Sequence, residues 1–514
     1  MTPPSDFQVS ALWPHLVALY CVTLLPLAAG LPPIIAIIES VYVMTRREVW
    51  KQAARFWGKL FGVVLLMWAI GSVVLAILYI ADPGRLTKHI HGTPGPLLIA
   101  LFMPFVLAFG LLLWNWFRDW WNPHRARHLL VTWLWVPLFG IAVLKIAIGF
   151  GLLDNPAGID LDAGSLQAWI YDVPAVLMNP AAQSRFVHLM GGCYLVSATL
   201  VLSISAWYLL HERNARIARR SLTVAASFGL AAALSLAVLG DHRGYAQSSG
   251  QQMRIAAIAA EWHTQAAPAA FTIFGIPESG GRITRAAVKV PWALGLGATH
   301  SWKKAVPGLD DLEAVNTARI HDGVAAFTVM DTPWADPGGA GVVFDLEDTP
   351  NLGYGLLLLR HTAHPAHASN VLMAAAARDT IPNVPLLFWT FRGMALLGIY
   401  AIVLFGCAFW LASRRGLDRR WFLRLAMWSL PVPWVSGALG WIVSEAGRGP
   451  WVIDGVLPMT RMHASRPDVV IGTIACMTIA VLFVAGTVLL VRLVHLGPEG
   501  LKFWPVDSGQ AGKY

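Results

Sequence analysis

Hydrophobic residues along this chain fall into long runs that carry almost no charge and are separated by short polar segments. Four of the clearest runs are 61–81, 97–116, 129–152 and 471–491. Each holds about 20 residues, the length that an α-helix needs to cross the hydrocarbon core of a bilayer. The pattern therefore predicts a protein built from membrane-spanning helices.

Nine such spans are predicted along the chain. They lie near 13–44, 57–81, 95–117, 129–153, 184–211, 221–240, 386–412, 421–446 and 468–493. The first span contains Pro26, Pro32 and Pro33, so we expect it to kink or tilt. The predicted fold class is an all-α polytopic membrane protein with nine transmembrane helices.

One segment between the sixth and seventh spans is too long and too polar to be a simple connection. Residues 241–385 contain alternating apolar and polar patches, which indicate a small folded element outside the membrane. The chain is thus divided into helices one to six in 1–240, this large loop, and helices seven to nine with a tail in 386–514.

Lysine and arginine residues indicate the side of the membrane on which each short loop lies. The loops after the first, third, fifth and seventh spans are rich in these residues, whereas the loops after the second and fourth spans hold few. This alternation predicts an external amino terminus, a cytoplasmic carboxyl terminus and an extracytoplasmic position for residues 241–385.

The composition agrees with the apolar pattern and removes two alternatives. Of the 514 residues, 56% are hydrophobic and 13% are charged, whereas soluble domains carry about 25% charged residues. The net charge of +9 does not indicate nucleic-acid binding, because the basic residues form short clusters between the apolar runs. All four cysteines lie inside apolar spans, so a disulfide framework is not expected.

Ionisable residues inside a bilayer are costly, which makes each of them a candidate for function. Of sixteen histidines, only His188 lies inside an apolar span, and Met394 lies at a similar predicted depth in span seven. Histidine and methionine are common axial ligands of electron-transfer haems. The two residues are therefore candidate ligands of one iron. Alternatively, His188 is a hydrogen-bonded structural residue and Met394 fills the core.

Glu445 ends span eight and is followed three residues later by Arg448. One interpretation is an ion pair at a helix end in the membrane interface. The other is a carboxylate ligand beside a cation that faces haem propionates, because a guanidinium group binds carboxylates with two parallel hydrogen bonds. The residues alone leave both interpretations open.

Several short motifs follow one another in a characteristic order. They are ESVYVMT and FWGKLFG within 39–63, NPAAQSRFVH at 179–188, SISAWYLL at 203–210, LGDHRGY at 239–245, AEWHTQAAPAAFTIFGIP at 260–277, LGYGLLL at 352–358, FRGM at 391–394 and GRGPW at 447–451. In order, spacing and number of spans, the chain resembles subunit I of the cytochrome bd quinol oxidases over nearly its whole length. GRGPW and the loop that follows LGDHRGY are highly specific to that family.

The resemblance implies roles for individual residues. His188 and Met394 match the axial ligands of a low-spin haem b, and Arg392 matches the arginine beside that haem. Glu445 matches the glutamate of the high-spin haem pair, and residues 241–385 match the loop that admits quinol. Further residues implied in cofactor binding are Arg448 and Trp441, and those implied in quinol binding are Arg254, Glu261 and Trp262.

The chain departs from the family pattern in the part that reduces oxygen. Cys21 stands where the family has a histidine that binds haem iron. Glutamates of the family's second and third spans correspond here to Leu75, Ala100 and Ala108, and polar residues of its fourth span to Phe139, Gly140 and Ala142. An apolar route would supply the protons for oxygen reduction slowly.

Cys21 has two interpretations. A cysteine thiolate can bind haem iron, which makes Cys21 a candidate metal ligand together with His188, Met394 and Glu445. Equally, Cys21 is a small buried hydrophobe. Span one reaches Cys21 about 12 Å from its start at 1.5 Å per residue. We therefore expect Cys21 and Glu445 to lie at similar depth and to border one haem pair.

The resemblance implies a haem-binding subunit of a bd-type terminal oxidase that takes electrons from quinol and reduces oxygen. The alternative is an electron-transfer or assembly subunit that does not itself reduce oxygen. The implied cofactors are low-spin haem b and either a high-spin haem b with haem d or a second haem b. The implied partners are a homologous or subunit II-type membrane protein and a small single-helix subunit, in the inner membrane of a bacterium.

Overall fold

A computed structural model describes most of the chain. The described residues are 13–81, 90–91, 110, 125–162, 167–244, 249–299, 301–330, 343–344, 351–362, 364–414, 416–459 and 469–498. Except for Gly110, the predicted third span at 95–117 lies outside them, and so do Ala100 and Ala108. The helix bundle is therefore described without that span.

Fifteen α-helices are present among the described residues. They are α1 (Trp13–Thr45), α2 (Glu48–Ala81), α3 (Arg125–Asp154), α4 (Val173–Leu177), α5 (Pro180–Leu210), α6 (Ala215–Gly244), α7 (Ser249–Ala259), α8 (Ala293–Thr299), α9 (Leu309–Met330), α10 (Leu352–Leu356), α11 (Asn370–Arg378), α12 (Val384–Ser413), α13 (Arg420–Trp428), α14 (Val432–Ala446) and α15 (Val469–Leu496). Pro26, Pro32 and Pro33 all lie inside the continuous helix α1.

Eight stretches of helix within the described residues are long and apolar enough to cross a membrane. They fall in α1, α2, α3, α4–α5, α6, α12, α13–α14 and α15. Each corresponds in position to one of the predicted spans, and the remaining prediction is the third span, which is not described. The prediction of a helical, multi-pass membrane protein is confirmed.

The core of the bundle forms around α5, which packs against α1, α3, α6 and α13. Close approach of α1 and α5 depends on Gly30, because a Cβ atom there would lie 2.1 Å from the carbonyl oxygen of Cys193. Trp57 of α2 is 1% exposed and donates from its indole nitrogen to Ser221 Oγ of α6 over 2.8 Å. These contacts join α1 to α5 and α2 to α6 through uncharged groups.

The all-α class needs a correction, since eight short strands are present. They are β1 (Ile90–His91), β2 (Ile159–Asp162), β3 (Gln167–Ile170), β4 (Phe271–Glu278), β5 (Ile283–Val290), β6 (Val343–Phe344), β7 (Trp451–Ile453) and β8 (Leu457–Pro458). Four of them form a sheet in the order β1-β3-β2-β6, and β4–β5 and β7–β8 form antiparallel pairs. Hydropathy did not predict them because short strands give little periodicity within a strongly apolar chain.

The segment between α6 and α12 folds against one end of the bundle, which we call the loop end. It contains α7 to α11 and the β4–β5 hairpin. At this end α3 and α14 finish, α5 and α12 begin, and α7 and β4 contact α12. Gly447, just after α14, lies directly against the side chain of Arg254 from α7.

Candidate functional site

His188 lies on α5, the start of which is set by local hydrogen bonds. Asn179 caps the helix by accepting from the backbone of Ala181 over 2.9 Å, and Pro180 occupies the first turn. The Asn179 side chain also donates to the carbonyl of Asn155 over 2.7 Å, which ties α5 to the end of α3. His188 is half-buried, and a Cβ atom at Gly192, one turn further on, would meet nothing within 4 Å.

Met394 lies on α12 with its sulfur directed at α14. A Cβ atom at Gly440 would sit 3.0 Å from Met394 Sδ, so the glycine makes room for the thioether. Helices α6 and α14 each contact both α5 and α12, so His188 and Met394 lie on helices that share these two neighbours. That both side chains bind one iron stays a prediction.

Arg392 lies two residues before Met394, and its guanidinium group is bound by the loop. Its guanidinium donates to the carbonyls of Ile273 (2.7 Å), Ile258 (2.9 Å) and Phe388 (2.7 Å), and also to that of Thr272. It stacks on the Phe388 ring at 3.3 Å. In this arrangement Arg392 joins α12 to β4 and to the end of α7, a role that the sequence did not predict.

Glu445 and Arg448 form a close pair at the loop end. Arg448 Nη2 donates to Glu445 Oε2 over 2.5 Å, and the Arg448 side chain is 7% exposed. Within the described part of the chain, Glu445 Oε1 and Arg448 Nε and Nη1 are buried without a hydrogen-bond partner. Arg448 can therefore donate to at least two further acceptors, and Glu445 Oε1 can accept from one more donor or bind a metal ion.

Three further residues extend this pair into a network. Arg185 of α5 donates to Asp154 at the end of α3 and, over 3.1 Å, to Ser444 Oγ beside Glu445. Arg254 Nη2 of α7 lies 3.7 Å from Asp154 Oδ1, an ion-pair distance rather than a hydrogen bond. We call Asp154, Arg185, Arg254, Glu445 and Arg448 the ionic cluster. It holds three guanidinium groups and two carboxylates.

Trp441 reaches the ionic cluster through an aromatic contact. Its ring meets Phe150 edge-on, with 5.2 Å between centroids, and the Arg185 guanidinium lies over the same Phe150 ring at 5.2 Å. Trp441 itself is 41% exposed. Phe150 therefore positions both the arginine and the tryptophan.

Of the three residues predicted to bind quinol, Arg254 lies on α7, and Glu261 and Trp262 lie in the segment that follows this helix. Arg254 points into the ionic cluster. Glu261 instead accepts from Gln265 Nε2 over 2.5 Å and lies 3.8 Å from Lys289 Nζ of β5. Trp262 is 5% exposed and donates to Thr284 Oγ1 over 3.2 Å. None of the described contacts joins Arg254 to Glu261.

Glu261 is the acidic residue of this loop with an altered proton affinity. Burial raises the pKa of the Glu261 carboxyl, while the hydrogen bond from Gln265 and the charge of Lys289 oppose the rise. A carboxyl group with a raised pKa holds a proton at higher pH than a free glutamate does, which suits it for accepting a proton from a reacting group.

Behind Arg254 and Arg448 lies a small polar cavity. Asn316, Tyr354 and Asp454 contribute to its walls. The enclosed space is about 10 Å³, room for about one water molecule and far less than a quinol ring needs. This cavity is therefore not a quinol site.

Among the described residues, Cys21 lies in mostly apolar surroundings, with one hydrogen bond to Ser72, and not beside the ionic cluster. Its buried neighbours belong to α1, α2 and α15: Val17, Tyr20, Leu24, Met67, Leu78, Ala475 and Ile479. A Cβ atom at Gly71 of α2 would lie 3.2 Å from Cys21 Sγ. In the described residues, these contacts do not extend to Glu445.

Cys21 and Glu445 also differ in depth. Trp434 Nε1 donates to the carbonyl of Thr23 over 3.2 Å, which places the start of α14 level with Thr23 of α1. At 1.5 Å per residue, Glu445 lies about 16 Å beyond Trp434 toward the loop end, and Cys21 only about 3 Å beyond Thr23. By this reckoning Cys21 lies farther from the loop end than Glu445. That the two residues border one haem pair, and that either binds iron, stays a prediction.

A second buried ionic contact, at the opposite end of the bundle, was missed from the sequence. Glu39 of α1 bonds His128 Nδ1 through Oε1 and accepts from Thr132 Oγ1 through Oε2 over 2.7 Å. Glu39 and His128 are 5% and 9% exposed. The sequence pattern assigned His128 to a loop. Only its spacing of four residues from Thr132 could have suggested that the two side chains share one helix face.

The residues of the site can hold the cofactors of the family that the sequence resembles. The open space beside Gly192 and the unpartnered atoms of Glu445 and Arg448 fit a large, flat, carboxylate-bearing group such as haem.

Comparison with known proteins settles the family. The family model described as cytochrome bd terminal oxidase subunit I matches residues 13–498. This chain belongs to that family.

Individual members of the family also match this chain over most of its length. It is 32% identical to cytochrome bd-II ubiquinol oxidase subunit 1 of Escherichia coli, over 95% of this chain and 96% of the relative. It is 26% identical to cytochrome bd ubiquinol oxidase subunit 1 of Bacillus subtilis, over 88% and 85% of the two chains. The solved bd oxidase of Geobacillus thermodenitrificans has the same fold, with a TM-score of 0.71, 18% identity and coverage of 95% and 97%.

Proposed function

We propose that this chain is the haem-binding subunit of a quinol-oxidising terminal oxidase in a bacterial inner membrane. His188 and Met394 would hold a low-spin haem b, and Glu445 would hold a high-spin haem. When bound, haem supplies one-electron redox chemistry that can link quinol oxidation to oxygen reduction. The observation that supports this proposal most is the Glu445–Arg448 pair, in which Arg448 is buried, Glu445 is half-buried, and both have polar atoms without a hydrogen-bond partner among the described residues.

Each residue of the site has a role that follows from its chemistry. Arg448 neutralises and orients Glu445, and its unpartnered N–H groups suit the carboxylate of a haem edge. Arg185 holds the neighbouring Ser444 and shields the site from water together with Phe150. Glu261, the carboxyl with the raised pKa in the loop, would take a proton from a quinol hydroxyl, and the next residue, Trp262, is buried.

A second candidate function is an electron-transfer or assembly subunit that leaves oxygen reduction to a partner. The mostly apolar surroundings of Cys21 favour it, because the described side chains that cluster around that residue on α1, α2 and α15 are hydrophobic. Phe139, at a position that is polar in the family, is 1% exposed inside the aromatic core. A dry interior at this point would slow proton delivery.

The proposal includes an orientation in the membrane and a partner subunit. The loop 241–385 would face the outside, with the carboxyl terminus in the cytoplasm, in agreement with the distribution of basic residues. A subunit II-type membrane protein would cover part of the exposed apolar surface of the bundle.

A reduced-minus-oxidised spectrum of the purified complex, with pyridine haemochrome analysis, tests the proposal. A haem d band with quinol-driven oxygen consumption is expected for the oxidase. Low-spin haem b without oxygen consumption would instead establish the second function. A preparation that binds no haem after expression with its partner subunits would overturn both.

A further inference from the structure

Asp154 lies at the loop end, and the family resemblance assigns no role to it. It is the last residue of α3 and is 5% exposed. Its Oδ2 atom accepts from Arg185 of α5, and its Oδ1 atom lies 3.7 Å from Nη2 of Arg254. One carboxylate therefore contacts a membrane helix and a helix of the large loop.

The charge balance of the ionic cluster depends on this carboxylate. Three guanidinium groups lie close together there, and Glu445 is engaged by Arg448. Asp154 is the acidic partner of both Arg185 and Arg254. Without its charge, the two arginines would repel each other in surroundings that screen charge poorly.

Arg254 is also positioned by packing. A Cβ atom at Gly447 would lie 2.6 Å from Arg254 Cγ, so the aliphatic part of the arginine rests on the backbone that follows Glu445. Its Nε atom is buried without a hydrogen-bond partner among the described residues. Packing fixes the aliphatic part of the Arg254 side chain, and the ion pair with Asp154 sets the direction of its guanidinium group.

We propose that Asp154 is a positioning residue of the quinol reaction: it aims Arg254 and thereby joins the quinol loop to the helix end that carries Glu445. This inference rests on the proposed oxidase function. Asp154 acts through Arg254 and does not itself contact the substrate. Loss of its charge should weaken quinone binding without altering the haem of His188 and Met394.

The test measures binding of a short-chain ubiquinone to the purified complex, together with KM and kcat for the corresponding quinol. We expect Asp154→Asn to raise the ubiquinone Kd and the quinol KM by about tenfold, a typical loss for one misplaced charged contact. We expect kcat to change far less, and the low-spin haem spectrum to stay as in the wild type.

A double-variant cycle separates positioning from simple damage. If Asp154 acts through Arg254, then Asp154→Asn should add almost nothing to the Kd of an Arg254→Gln protein. Asp154→Glu retains the charge and should restore most of the affinity. Asp418→Asn is the matched control, because Asp418 forms an exposed pair with Arg219 and should leave Kd unchanged.

Two results would overturn the inference in different ways. Equal ubiquinone binding by wild type and Asp154→Asn, or fully additive effects with Arg254→Gln, would show that Asp154 does not position Arg254. Absence of ubiquinone binding by the wild-type complex would instead overturn the quinol assignment, and the inference with it. If Asp154→Asn fails to assemble with haem, the Asp154→Glu and Arg254→Gln proteins decide the question by the same Kd comparison.

Discussion

The surroundings of Glu445 and of Cys21 differ in polarity, although the family resemblance assigns both residues to one oxygen-reducing site. Glu445 lies in a network of charged groups with Arg448, Arg185 and Asp154. Within the described part of the chain, Cys21 lies mostly among aliphatic and aromatic side chains, with Ser72 as its one polar partner. Buried charges persist only where they are paired or bind a ligand. The Glu445 side is therefore suited to a charged cofactor, whereas the Cys21 side has the character of ordinary core.

The largest effect is expected from substitution of Met394 on α12. Met394→Leu preserves volume but removes the thioether, so the low-spin haem should become five-coordinate and its low-spin bands should disappear. Absorption and electron paramagnetic resonance spectra measure this change. Met67→Leu, in the neighbourhood of Cys21, is the matched control and should leave the spectra unchanged. A persistent low-spin spectrum in Met394→Leu would contradict the assignment.

Next in size is the loss of Arg448. Arg448→Ala leaves the half-buried Glu445 carboxylate without its ion-pair partner. That loss costs about 3–5 kcal/mol when both charges are fully buried and less here, because the Glu445 side chain is 31% exposed. We expect a large fall in thermal stability and loss of one haem per complex by pyridine haemochrome analysis. Arg219→Ala removes an arginine from the exposed pair with Asp418 and should cost at most about 1 kcal/mol. Equal losses of thermal stability in Arg448→Ala and Arg219→Ala would show that the Glu445–Arg448 pair contributes no more than an exposed pair.

A smaller effect is expected for Cys21. If it is a packing residue, Cys21→Ala should cost about 1 kcal/mol in stability and leave all haem bands in place. Cys21→His should not by itself increase oxygen consumption, because the surrounding core remains apolar. A shift of the high-spin bands in Cys21→Ala would show that the thiolate binds iron, and the two sides of the site would then be alike.

The smallest effect concerns Glu261 in the loop. Burial raises its pKa, so the folded protein holds this proton to higher pH than the unfolded chain does. Its contribution to stability is therefore greatest below the ordinary glutamate pKa, and declines as pH rises through the raised value. Glu261→Gln should flatten that part of the profile of melting temperature against pH. If the slope of melting temperature against pH is the same in Glu261→Gln as in the wild type, Glu261 does not titrate in this range.

Much of the fold was predictable because hydrophobic length is a local property of the chain. Eight of the predicted spans coincide with apolar helices, and Asn179–Pro180 and Asn383 mark helix starts that capping preferences favour. The β4–β5 hairpin was not predicted, since its eight-residue strands lie in a loop of mixed composition. Local patterns identify long helices better than short strands in such a segment.

The candidate site was predictable only in part. Glu445 and Arg448 are three residues apart on one helix end, so their pairing follows from helix geometry. Arg392 was expected beside a haem, yet it is held by loop carbonyls that no sequence pattern indicates. Asp154 was overlooked, although an acid at the end of an apolar span is a recognisable sign of a buried partner.

The sequence by itself determined that this chain crosses the membrane many times, which family it resembles, and which few ionisable residues the apolar spans contain. These properties depend on the length and composition of continuous segments. Only the tertiary structure decided that Arg254 meets Asp154 rather than Glu261, and that Cys21 lies deeper than Glu445 in apolar surroundings. Such contacts join residues from distant parts of the chain, so they depend on how the helices pack, and no local pattern encodes them.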